Sequence, residues 1–265
     1  MRDDSVRIED ARIKGLDLDN YPWVHERHRI FPEVFGSEGY QNILDIAAGV
    51  GVVAKRIHDL YPCKMLCNDI SKECLRCLKA NNLSTVSFDL DDPGTPFPFP
   101  DETFDAIISL ATLEHIINID HHMREVRRIL KKDGHLYLST PNYSGIHFVV
   151  PFLLHGKSFH DPMKGGIDTY EFYAHVRYFT YKTLLEFTSS FGFRAEKVYL
   201  PIPKESSRYR ALEKKSRIRA LLAKTVIYLL YRLLPSRWAF HPVIRFAKHD
   251  GLADGEAFKL EKIII

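Results

Sequence analysis

Three aspartates, Asp45, Asp69 and Asp89, stand at or beside the ends of short apolar runs. Asp45 precedes Ala47-Ala48-Gly49-Val50-Gly51, small residues whose backbone N–H groups can face a ligand without side-chain obstruction. A carboxylate there can order the turn or accept from a ligand amine. Asp69, roughly twenty residues after the turn, is placed to take both hydroxyls of a ribose. Asp89 can accept an adenine amino group while the backbone N–H of Leu90 meets a ring nitrogen. Each acid has a plainer explanation alone, such as a helix N-terminal acid beside Ser71 for Asp69. A ligand with an amine, a ribose and an adenine explains the three together.

The elements that must position these acids follow from period and punctuation. Strands are predicted over 42–47, 63–68, 85–89, 104–110, 135–140, 194–200 and 258–265. Helices are predicted over 51–61, 71–82 (capped by Ser71) and 121–132, with another capped by Thr180 and ending near Gly192. Asp91 to Glu102 carries four prolines and reads as loop. His121-His122 would begin a solvated helix rather than bind a metal. The segment 143–173 is aromatic and without period, a long insertion of the kind that often covers substrates. Strand–helix alternation predicts a parallel sheet with right-handed crossovers and ligands beyond its carboxyl ends.

LDIAAGVG (44–51), NDIS (68–71) and FDLDDPGTPFPFPDETFDAIISLATLEHI (88–116) resemble the class I S-adenosylmethionine-dependent methyltransferases. The resemblance covers roughly residues 40–142, with HVRYFTYKTLLEFTSSFGF (175–193) a further match. It implies a seven-stranded α/β Rossmann-like sheet with helices on both faces and an antiparallel last strand. The family's first motif runs DxGxGxG; here it reads DxAxGxG, with Ala47 in place of the first glycine. By the resemblance Asp45, Ala47, Gly49 and Gly51 line the methionine moiety, and Asp69 with Ile70 holds the ribose. Asp89 and Leu90 recognise adenine, while Leu110 and Thr112 line the cofactor from the fourth strand. Tyr21 and Trp23, in a segment resembling a lid helix (20–31), close over it. Tyr143, His175, Arg177 and Tyr178 would form the acceptor side. A nicotinamide dinucleotide is the competing ligand for the turn, but Ala54 would have to stand for that fingerprint's third glycine.

Methyl transfer from a sulfonium is an in-line displacement, helped by alignment and by exclusion of water. An oxygen acceptor also gains from a general base, for which His115 is the candidate; its plainer role is to orient the next helix. No metal is expected. The cofactor would be S-adenosylmethionine, leaving as S-adenosylhomocysteine. A non-catalytic binding module, or another enzyme of an adenosyl ligand, would keep the same acids.

At 265 residues with a net charge of +3, the whole chain gives no polyelectrolyte reason to bind nucleic acid. The charged N-terminus and the lack of a long apolar run point to a cytoplasmic protein. Cys63, Cys67, Cys74 and Cys77 are close in sequence, but two on one strand and two on a helix suit buried thiols better than zinc. Residues 204–237 hold ten Lys/Arg against two Glu, a local +8. An apolar aromatic stretch overlaps them, too short to span a bilayer. Residues 204–238 therefore suit a peripheral membrane or lipid-substrate contact, core packing, or a homodimer. The expected organisation is a lid segment (1–36), a core (37–202 and 257–265) with its own lid insertion (143–173), and a basic helical insertion (203–256).

Overall fold

The computed structural model describes residues 2–35, 38–157, 159–161, 163–164, 166–249 and 260–265. Its strands are β1 (Asn42–Ile46), β2 (Lys64–Asn68), β3 (Ser84–Val86), β4 (Phe104–Leu110), β5 (Leu130–Ser139), β6 (Phe193–Leu200), β7 (Val243–Lys248) and β8 (Glu261–Ile264). The helices are α1 (Arg2–Ile13), α2 (Phe31–Val34), α3 (Val52–Leu60), α4 (Lys72–Ala80) and α5 (Ile119–Ile129). They continue with α6 (Ile146–His155), α7 (Gly166–Ala174), α8 (Tyr181–Ser190), α9 (Ser207–Lys215) and α10 (Arg217–Leu233).

The strands form one mixed eight-stranded sheet in the order β3-β2-β1-β4-β5-β7-β6-β8. β4 is apolar on both pleat faces because both are covered, and Ala106 to Ile108 are inaccessible to solvent. One cluster, with Leu44, Ile107 and Leu138, fills one side of the sheet; a second, with Ile43, Ala106, Ile108 and Tyr137, fills the other.

The Rossmann-like class holds, and the antiparallel strand is a different segment from the one expected. β7, read from sequence as part of the insertion, runs antiparallel between β5 and β6. The described part of the expected last strand, β8, instead pairs parallel with β6 at the sheet edge. Residues 258 and 259 lie outside the described residues.

Three local predictions also change. The segment 20–31 is not a helix but an extended stretch with a single 3-10 turn, Glu26–Arg29; the N-terminal helix is α1. The aperiodic 143–173 region contains α6 and α7, and α6 escapes periodicity because nearly every residue of IHFVVPFLLH is apolar. His121-His122 do not open a solvated helix: α5 starts at Ile119, and His122 is buried with its ring 5.7 Å from Phe97. Cys67, Cys74 and Cys77 are buried free thiols, and Cys63 is a half-buried one.

The basic insertion docks on the N-terminal segment. The Glu26 carboxylate accepts from the backbone N–H groups of Lys204, Glu205 and Ser206, and Arg56 makes a two-pronged ion pair with Glu205. Burial alone would raise the Glu26 carboxyl, but those N–H groups outweigh it and leave it below its ordinary value.

Candidate cofactor and acceptor site

β1 and β4 are neighbours, but their crossovers leave in opposite directions, β1 toward β2 and β4 toward β5. Their carboxyl ends therefore part and open a crevice, the usual place for a ligand in such a sheet. The turn after β1 carries three left-handed residues, Ala47 (φ 53), Gly49 (φ 59) and Gly51 (φ 93). Gly51 is fixed by space as well as conformation, since a Cβ would stand 2.8 Å from Leu78 Cδ2. A Cβ on Gly49 would meet nothing within 4 Å, so that position faces the crevice. Ala47 adopts a conformation that costs a side-chain-bearing residue about 1–2 kcal/mol. Ala47→Gly is expected to raise stability by about 1 kcal/mol in chemical denaturation; a loss would mean the alanine methyl is packed rather than strained. A second alanine, Ala111 (φ 54), sits in the same region just past β4, on the other lip.

Asp69 ties the turn together. Its Oδ2 accepts from Gly49 N–H at 2.9 Å and its Oδ1 from Ser71 N–H at 2.9 Å. Burial pushes its carboxyl up to about 6, with those two N–H groups partly offsetting the rise. Asp45 is buried at the end of β1; burial and the charge of Asp69 push it up to about 8. Asp89 lies three residues beyond β3, and its Oδ1 accepts from Asp91 N–H at 2.7 Å. Leu90 is half-buried and Ile70 exposed. Leu110 ends β4, and Thr112 is buried with its hydroxyl donating to Leu110 O at 3.3 Å. Tyr21 stacks edge-on against Trp23, their centroids 5.5 Å apart. Both pack with Ile13 and with Val50 of the turn, so the N-terminal segment covers it.

On the acceptor side, two short segments are zipped together. Glu114 O accepts from Val176 N–H at 2.9 Å, and Arg177 donates from Nε to Ile116 O at 3.0 Å and from Nη2 to Ile117 O at 2.6 Å. Two of the Arg177 donors thus brace backbone carbonyls. His115 Nδ1 donates to Ala174 O at 3.1 Å. The Tyr143 hydroxyl lies 3.0 Å from His175 Nδ1 and 2.7 Å from His160 Nε2. The Tyr178 ring, largely exposed, lies 5.0 Å from that of Tyr143. His115, His175 and Tyr143 are thereby brought together.

Sequence reading missed Glu114, Arg27 and His160. Glu114 is 1% exposed, and neither carboxylate oxygen accepts from another residue among those described. Arg27 is buried close enough to feel its charge, with an Nε that finds no acceptor among the described residues. The available signal was an acid adjacent to an imidazole in the tight turn after a strand, Leu113–His115.

Residues 44–138 match the family model described as a methyltransferase domain. The chain is 30% identical over 138 residues to malonyl-[acyl-carrier protein] O-methyltransferase of Geobacter sulfurreducens, covering 49% of this chain and 51% of that protein. It is 33% identical over 111 residues to demethylmenaquinone methyltransferase of Bacteroides fragilis, covering 38% and 45%. The chain thus spans about half the length of these curated relatives. A putative methyltransferase of Bacillus halodurans shares the fold, with a TM-score of 0.55 at 18% identity, over 85% of this chain and 100% of that one. The motif turn, the acids at or beyond the strand ends and the match to the methyltransferase-domain family all fall on one sheet, and over residues 44–138 the chain is similar to the class I S-adenosylmethionine-dependent methyltransferases.

Proposed function

We propose that the protein transfers a methyl group from S-adenosylmethionine to an oxygen of a small or lipid-linked acceptor. The observation that carries this reading is the arrangement of Asp45 and Asp69 around the turn, with a polar group of Glu114, His115, His175 and Tyr143 at the end of the adjacent strand. The first set suits a cofactor, and the second lies where an acceptor would meet the methyl group. In the displacement an oxygen lone pair forms the new bond to the methyl carbon. The carbon–sulfur pair returns to sulfur, leaving a neutral thioether. The acceptor hydroxyl loses its proton on the way, and water carries that proton off.

The lipid-linked branch rests on α10. Ile218 (82% exposed), Leu221, Leu222, Val226, Leu229 and Leu233 (76%) recur at helical spacing, while Arg217, Arg219, Lys224 and Arg232 flank them. An apolar stripe set among cations suits an anionic lipid interface. No described helix is long and apolar enough to cross a membrane.

The test is incubation with methyl-labelled S-adenosylmethionine and cell extract, followed by partition between organic solvent and water. Label in the organic phase, with sedimentation on anionic vesicles that is lost on neutralising Lys214, Lys215, Arg217 and Arg219, is the expected result. Label only in aqueous products would remove the lipid branch; no transferred label at all would remove the transferase reading.

A further inference from the structure

We propose that Glu114, His115 and His175 form a binding site for one divalent first-row transition-metal ion. The three offer ligand atoms within 4.8 Å of one another. Atoms about 2.1 Å from a common ion stand roughly 3.4 Å apart in a tetrahedral set, so small side-chain rotations complete the site. Two imidazoles and one carboxylate are a donor set that suits zinc, iron, cobalt or manganese and leaves coordination positions open.

Three independent features support an ion there. The Glu114 carboxylate is buried without a hydrogen-bond donor from any other described residue, a costly state for a carboxylate unless a cation or a proton satisfies it. His115 Nδ1 donates to Ala174 O, which turns Nε2 toward the site; a ligand imidazole is commonly held this way by a backbone carbonyl. His175 is held similarly, with Nδ1 engaged by the Tyr143 hydroxyl at 3.0 Å and by His160 at 3.2 Å. Arg27 is the competing cation. It is buried nearby yet makes no hydrogen bond to Glu114, whereas a guanidinium placed to pair a carboxylate commonly makes a two-pronged contact.

The inference rests on the methyl-transfer reading for its role and not for its existence. His115 then serves the ion rather than the proton. Glu114, His115 and His175 would hold the ion, which would make an acceptor hydroxyl at an open position more acidic, so that its proton leaves to water as the oxygen bonds the methyl carbon and the carbon–sulfur pair returns to sulfur.

The experiment is titration of the chelator-stripped full-length protein with Co²⁺, followed by visible absorption and calorimetry, with S-adenosylhomocysteine titrated in parallel. One Co²⁺ per chain is expected, with affinity falling at least tenfold in both Glu114→Gln and His175→Ala and unchanged in His58→Ala, an exposed histidine. Retained S-adenosylhomocysteine binding shows that the variants are folded, and the near-isosteric Glu114→Gln serves if His175→Ala is not. Absence of Co²⁺ uptake by the wild type, or equal uptake by Glu114→Gln, overturns the site. Wild-type protein that binds Co²⁺ but not S-adenosylhomocysteine keeps the site and sinks the transferase reading instead.

Discussion

Asp69→Ala is expected to weaken S-adenosylhomocysteine at least tenfold by calorimetry, about 1.4 kcal/mol. Two losses combine. A carboxylate offers about four lone-pair positions, and the N–H groups of Gly49 and Ser71 occupy two, leaving two for ribose hydroxyls. Removing the carboxylate also releases the Gly49 end of the turn from the second strand. Asp69→Asn separates these effects, because its remaining oxygen keeps one backbone bond while half the acceptor capacity is gone. It should fall between wild type and alanine. Unchanged affinity in Asp69→Ala would sink the ribose assignment.

Asp45→Asn is expected to stabilise the cofactor-free protein at pH 8 by roughly 1–3 kcal/mol while weakening the cofactor. The sign follows from proton counting. The unfolded carboxyl titrates near ~3.9, whereas burial and the charge of Asp69 push the folded one up to about 8. Below the unfolded value both states are protonated and the group is neutral to stability. Between the two values the folded state holds the extra proton, so wild-type stability declines as pH rises. Asp69, raised to about 6, adds to the decline over the lower part of that window. Asparagine does not titrate, so the stability gap should be near zero at pH 4 and grow toward pH 8. Denaturation at the two pH values checks this; an equal destabilisation at both would mean that Asp45 is a structural hydrogen-bond acceptor.

The strand–turn–helix of the candidate site was legible because it is local. A strand, a small-residue turn and a helix are contiguous, and Asp45, Gly49, Gly51 and Asp69 announce themselves by position within them. Even there sequence could not show that Asp69 grips Gly49, a contact between different strand ends. β7 was lost for a similar reason: its partners β5 and β6 lie far back in the chain, and VIRFAK lacks a one-sided alternation because both of its faces are buried from Val243 to Phe246. Glu114 was hidden more deeply. Its meaning depends on meeting His175, which only the bracing of residues 114–117 by 174–177 brings about. α6 stayed hidden because an almost wholly apolar helix has no period to read.

Arg12 has a consequence in time rather than in affinity. Its guanidinium lies over Trp23, 4.4 Å from the ring centroid, and 5.4 Å from that of Tyr170 on α7, while Glu9 holds it from the same helix. One cation thus bridges the cover of the cofactor turn and the cover of the acceptor side. In the proposed transfer reaction, parting either contact would loosen the other, so the two covers would open together and exchange of products would follow the lifting of α1.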